Sequence, residues 1–137
     1  MPSQARAAKS EKGSSARTEL LRAESIETLR ELQETVARMR NQLRLMDTTG
    51  LRQALRLLEA GRPACDIATV VNVAGSRKAV SALMGEIQAA RHRAQRAQFK
   101  LAAAEGTSMA EIARAWGVSR QLVSRMVKEP TPGRRKA

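Results

Sequence analysis

Apolar side chains along this chain recur at intervals of three and four residues and show no convincing alternation at two. That is the period of amphipathic helices rather than strands. Leu29, Leu32, Val36, Met39, Leu43 and Met46 step 3-4-3-4-3, which predicts a long helix over residues 17–46 with a heptad seam. Leu51, Ala54, Leu55 and Leu58 give an apolar face to a shorter helix, Leu51 to Ala60, ended by Gly61-Arg62-Pro63. Val80, Leu83, Ile87, Ala90, Ala94, Ala97 and Leu101 resume the same steps and predict a helix from Ser76 to just before Gly106, either unbroken or bent. Gly85 is its one weak point, costing about 1 kcal/mol relative to alanine if exposed. Met109, Ile112, Ala113 and Trp116, then Val123, Met126 and Val127, mark two further short helices. The fold class predicted is all-α: a long N-terminal helix that can form a coiled coil, then one or two helix-turn-helix units joined by a long helix.

The punctuation between helices refines these limits. Asp47-Thr48-Thr49-Gly50 reads as a break, with Thr48 or Thr49 capping the next helix. Ser108 followed by Glu111 is a capping box. Gly117 supplies a left-handed turn position, Ser119 caps the last helix, and Pro130 stops it. Residues 1–16 are small, polar and basic, too poor in apolar area to offset chain entropy, and read as a disordered tail. The segments expected are therefore a basic tail (1–16), an amphipathic helix (17–50), a degenerate helix-turn-helix (51–84), a helix-turn-helix with its support helix (85–129) and a basic tail (130–137). Two arrangements satisfy the 17–46 seam: a two-stranded coiled coil making a homodimer, or packing against the chain's own helices.

Residues 107–129, T-S-M-A-E-I-A-R-A-W-G-V-S-R-Q-L-V-S-R-M-V-K-E, resemble the bacterial helix-turn-helix: a small residue in the first helix (Ala113), glycine in the turn (Gly117), and apolar residues after it (Val118, Val123, Met126). The pattern A-x-x-W-G-V-S-R-x-x-V is similar to resolvase/invertase-type DNA-binding domains and to sigma-factor region 4. The resemblance implies double-stranded DNA as partner and a recognition helix at 119–129. Its outward positions are Ser119, Arg120, Gln121, Ser124, Arg125 and Lys128. Arginine pairs bidentately with guanine and glutamine with adenine, so Arg120, Gln121, Ser124 and Arg125 are expected at bases. Lys128 is expected at a phosphate. Arg91, Arg93, Arg96 and Lys100, on the preceding helix, are expected along phosphates.

Residues 57–84 look like a worn second copy. Ile67-Ala68 sets over Ile112-Ala113, and S-R-K-A-V-S over S-R-Q-L-V-S, with two extra residues in the turn, Asn72 to Gly75. Chance similarity between alanine-rich helices is the other reading. In this copy Ser76, Arg77, Lys78 and Ser81 are the equivalent outward positions.

Charge sharpens the picture. The chain of 137 residues carries a net charge of +12, and residues 107–137 hold +5 of it, whereas 19–60 are neutral. A polyanionic partner follows. The single cysteine, Cys65, allows no intrachain disulfide, and no apolar run approaches the ~20 residues of a membrane span. No zinc-ligand set, nucleotide-binding glycine loop or nucleophile–base pair is present, and the lone His92 reads as a surface residue. No cofactor, metal or catalytic residue is expected, and no enzyme. The expectation is a cytoplasmic, nucleoid-associated, sequence-specific regulator of transcription, bacterial, phage or plasmid in origin, binding as a dimer through 17–46. Two rival classes are an architectural protein coating DNA without sequence preference and a coiled-coil interaction protein, such as a phage packaging component, with a protein partner.

Overall fold

A computed structural model describes residues 2–130, with side chains from residue 13 onward. Its elements are α1 (Pro2–Leu45), a π turn (Met46–Leu51), α2 (Arg52–Glu59), α3 (Ala64–Val70), α4 (Val73–Ala104), α5 (Met109–Trp116) and α6 (Arg120–Lys128). The described residues are all-helical apart from turns, as the periodicity implies. The basic tail expected at 130–137 lies outside the described residues, Pro130 excepted.

Two elements begin or continue where local composition predicts otherwise. α1 starts at Pro2, so residues expected to be disordered are helical. Alanine, Gln4, Arg6, Lys9, Glu11 and Lys12 are good helix formers. Extending an existing helix also avoids the cost of nucleation, which a burial argument ignores. The expected break at Asp47–Gly50 is a π turn instead. Leu45 and Arg52, on either side, both keep right-handed helical backbone angles, so α1 runs through into α2. Thr48 and Thr49 are not caps: their hydroxyls donate back to the carbonyls of Arg44 (2.9 Å) and Leu45 (2.7 Å).

The chain divides into two compact units, residues 30–91 and residues 1–29 with 92–137. This cuts the predicted 17–50 and 85–129 segments through the middle of α1 and α4. In the 30–91 unit, Ile67 and Ala90 are buried and Leu32, Met39, Val80, Leu83 and Ile87 half-buried. Arg38 on α1 reaches Glu86 on α4 at 2.7 Å. The heptad seam is shared out by position. Leu32, Met39 and Met46 are half-buried, whereas Val36 and Leu43 stand 48% and 53% exposed. On the apolar face of α2, Ala54 is half-buried, whereas Leu51, Leu55 and Leu58 are between 53% and 59% exposed.

The second helix-turn-helix copy holds in chain order but not in packing. Asn72 takes the left-handed conformation (φ 53°) and its Oδ1 accepts from the Gly75 amide at 3.2 Å. α4 therefore starts at Val73, three residues before the expected Ser76, and the turn is shorter than predicted, not longer. Ala68, set over the buried Ala113, is exposed, so no close helix crossing forms there.

The other unit has the larger buried core. Phe99 and Ile112, Ala113, Val123 and Met126 form one buried cluster, with Ala102, Ala103, Met109, Val118, Leu122 and Val127 packed on it. Arg22 on α1 bonds Glu105 at 3.2 Å.

Candidate nucleic-acid interface

The corner between α5 and α6 is built by local chemistry. Ser108 Oγ accepts from the Glu111 amide (3.2 Å), and Glu111 Oε2 accepts from the Ser108 amide (3.0 Å), closing the predicted capping box. These bonds favour the ionised carboxylate. The Ser108 backbone amide first, the Ser108 hydroxyl and the Arg114 charge next, hold Glu111 below its ordinary pKa. Gly117 sits at φ 64°, a left-handed position that glycine takes without a Cβ penalty. Ser119 Oγ then accepts from the Leu122 amide at 3.1 Å and starts α6. Glu129, before Pro130, is extended, and α6 ends there.

Packing fixes the angle between the two helices. Ala113, 7% exposed, is small enough for α6 to come close, and Val123 and Met126 seal the contact from the other side. Phe99 from α4 fills the middle at 0% exposure and meets Trp116 edge-on, ring centres 5.3 Å apart at 89°. Trp116 is the lid of this cluster and keeps 40% of its surface exposed. Phe99 is the organising residue that reading periodicity alone misses. It stands off the Ala94-Ala97-Leu101 line, and its one signal is that it and Trp116 are the only aromatic side chains of the chain.

Against that frame of α4, α5 and α6, the residues expected to read DNA fall as follows. Ser119, Arg120, Gln121, Arg125 and Lys128 are exposed on α6, and Ser124 is half-buried. Arg125 and Lys128 in the last turn also complement the helix dipole. The cations of α4 divide. Arg91 and Arg93 are exposed. Arg96 and Lys100 are not on a free phosphate-facing edge: Arg96 lies 3.6 Å from the Glu129 carboxylate, and Lys100 donates to the Glu129 carbonyl at 2.7 Å. His92, on the surface as predicted, lies 3.4 Å from the same carboxylate. These three side chains clasp the end of α6 to α4. The clasp links residues 29 or more positions apart, which no local pattern encodes.

The equivalent positions in the 30–91 unit do not make a second reader of the same geometry. Arg77, Lys78 and Ser81 are exposed and Ser76 half-buried, but they lie inside α4 rather than at a capped helix start. Ser76, Arg77 and Ser81 line an open, mainly apolar groove of about 390 Å³, together with Met46, Gly50, Leu51, Ala54, Val71, Val73 and Val80.

Among the described residues, no helix is long and apolar enough to cross a membrane. Nor do three His, Cys, Asp or Glu side chains come together there to hold a metal ion. Comparison with known proteins yields no significant match among curated proteins or solved structures. Residues 92–133, from the C-terminal part of α4 through α6, match the model of the Homeodomain-like domain, a helix-turn-helix family, and this match supports DNA binding.

Proposed function

We propose that the chain is a sequence-specific double-stranded DNA-binding protein that regulates transcription. It acts as a homodimer through α1, is nucleoid-associated in the cytoplasm, and carries no catalytic activity. The observation that carries this reading is the recognition-helix arrangement. A capped α6, locked on Phe99 and Ala113, turns Arg120, Gln121, Arg125 and Lys128 to solvent. Arg120, Gln121, Ser124 and Arg125 contact base edges in the major groove, and Lys128 a phosphate. The likeness of A-x-x-W-G-V-S-R-x-x-V to resolvase/invertase-type domains and sigma-factor region 4 belongs to the same proposal. It extends to DNA reading and not to recombination.

Substitution of Arg120 and Arg125 separates base reading from charge. Each bidentate arginine–guanine pair discriminates by about 1–3 kcal/mol. Arg120→Ala with Arg125→Ala is expected to flatten sequence preference, while Lys128→Ala weakens all duplexes alike and lowers the salt slope by about one. Unchanged preference in the double variant overturns the assignment of α6. Equal affinity for every duplex, with the salt slope kept, marks the architectural class instead.

A further inference from the structure

We infer that the groove between the π turn and the first turns of α4 binds a small amphipathic monocarboxylate, with an apolar body along the groove and its carboxylate on Arg77. The site lies wholly within the 30–91 unit. It goes beyond the DNA reading by giving the chain a small-molecule ligand, and it stands independently of that reading.

Helical spacing builds the two walls. Val73, Ser76, Arg77, Val80 and Ser81 share one face of α4. Met46, Gly50 and Ala54, four residues apart, supply the other wall from the π turn and the start of α2. Leu51 and Val71 complete the lining. The space holds about 390 Å³, within the range of roughly 300–1,000 Å³ for small-ligand sites. π turns are rare and recur at functional sites.

Gly50 shows that the opening is not forced by the fold. Its backbone is helical rather than left-handed, and an added Cβ meets nothing within 4 Å. Neither conformation nor crowding calls for glycine here, and glycine ranks below every residue but proline inside a helix. What its missing side chain leaves is room beside Ala54 in the groove.

The polar groups identify the ligand. Arg77 is the one charged residue of the lining. Among the described residues it forms no ion pair, and the Ser76 and Ser81 hydroxyls form no hydrogen bond. No carboxylate lines the groove, and Asp47, next to Met46 in sequence, is engaged by Arg52 at 3.4 Å. A guanidinium pairs bidentately with a carboxylate, and the two hydroxyls add donors on the same face. Ser76 and Arg77 also stand near the start of α4, where the helix dipole favours negative charge. One cation balances one anion. The remaining lining is apolar, so a dianion or a sugar would set unpaired polar groups against Met46, Val71 and Val80. A DNA phosphate can reach the exposed Arg77 but brings no apolar body to cover those walls.

The test uses the full chain with labelled methyl groups. Sodium decanoate and phenylbutyrate are the probes, with decanol and decyltrimethylammonium as uncharged and cationic controls. Either carboxylate is expected to shift the Met46, Val71 and Val80 methyl resonances with a dissociation constant of about 1 mM or tighter. Decanol is expected to bind more weakly and the cation not at all. Arg77→Ala is expected to weaken carboxylate binding at least about 10-fold and to leave decanol unchanged. Gly50→Leu is expected to abolish binding while raising stability to urea, because leucine outranks glycine in a helix. Binding lost with stability gained separates a filled groove from a misfolded chain, and Arg77→Ala, at an exposed position, decides the matter if Gly50→Leu fails to fold. No shift from either carboxylate at about 10 mM overturns the site. So do equal affinities for decanoate, decanol and the cation, unchanged binding in Arg77→Ala, or binding retained in a folded Gly50→Leu.

Discussion

Phe99→Ala removes the side chain that holds three helices together. Phe99 is fully buried, contributes to the cluster of Ile112, Ala113, Val123 and Met126, and meets Trp116 edge-on at 5.3 Å. Truncating a buried phenylalanine to alanine costs about 3–5 kcal/mol from lost transfer and residual cavity. Loss of the edge-to-face contact accounts for about 0.5–1.5 kcal/mol beyond area burial. Domains of this size have only about 5–15 kcal/mol in total, so the variant sits close to the unfolding threshold. Trp116 is the sole tryptophan, and its ring touches Phe99, so its fluorescence during urea titration reports on this unit alone. Phe99→Leu keeps most of the volume and is expected to cost less than half as much. A Phe99→Ala penalty below about 1 kcal/mol, against that range, refutes the claim that α5 and α6 are organised on Phe99.

Three further outcomes follow from local geometry. Ser119→Ala deletes the acceptor for the Leu122 amide and is expected to destabilise α6 by about 1 kcal/mol, read by the same Trp116 titration; no change refutes the cap. Gly85→Ala lies mid-helix with nothing within 4 Å of an added Cβ, so it is expected to raise stability by about 0.5–1 kcal/mol by calorimetry; destabilisation shows the helix is not regular there. Glu111 has its pKa lowered by the capping box, so its contribution is present at neutral pH and is lost as pH falls through that depressed value. The melting-temperature gap between the parent chain and Glu111→Gln should therefore shrink on moving from neutral to strongly acidic pH, and a gap that stays constant contradicts the box.

Features written in neighbouring residues were legible from the chain alone. Ser108 with Glu111, Gly117 and Ser119 each act within four positions, and the structure places all of them as read. The inner faces of α4, α5 and α6 followed from periodicity for the same reason. What escaped depends on contacts far apart in sequence or on competition between local options. Thr48 and Thr49 can cap a helix or bond back to one, and continuity of α1 selects the second. Asn72 accepts the Gly75 amide and so starts α4 before Ser76, a choice that the match of S-R-K-A-V-S to S-R-Q-L-V-S conceals. The split of the seam, Leu32 and Met39 half-buried but Val36 and Leu43 exposed, depends on packing that periodicity along α1 does not encode. Arg96 and Lys100 look like phosphate contacts until the end of α6 brings Glu129 to them.

The central claim is that α6 reads DNA sequence. Selection of bound duplexes from a random library at roughly physiological salt tests it most directly. The account predicts an enriched motif carrying guanines where Arg120 and Arg125 reach base edges, with a symmetric repeat set by the dimer. Recovery of duplexes without any enriched motif, or no binding at all, contradicts it.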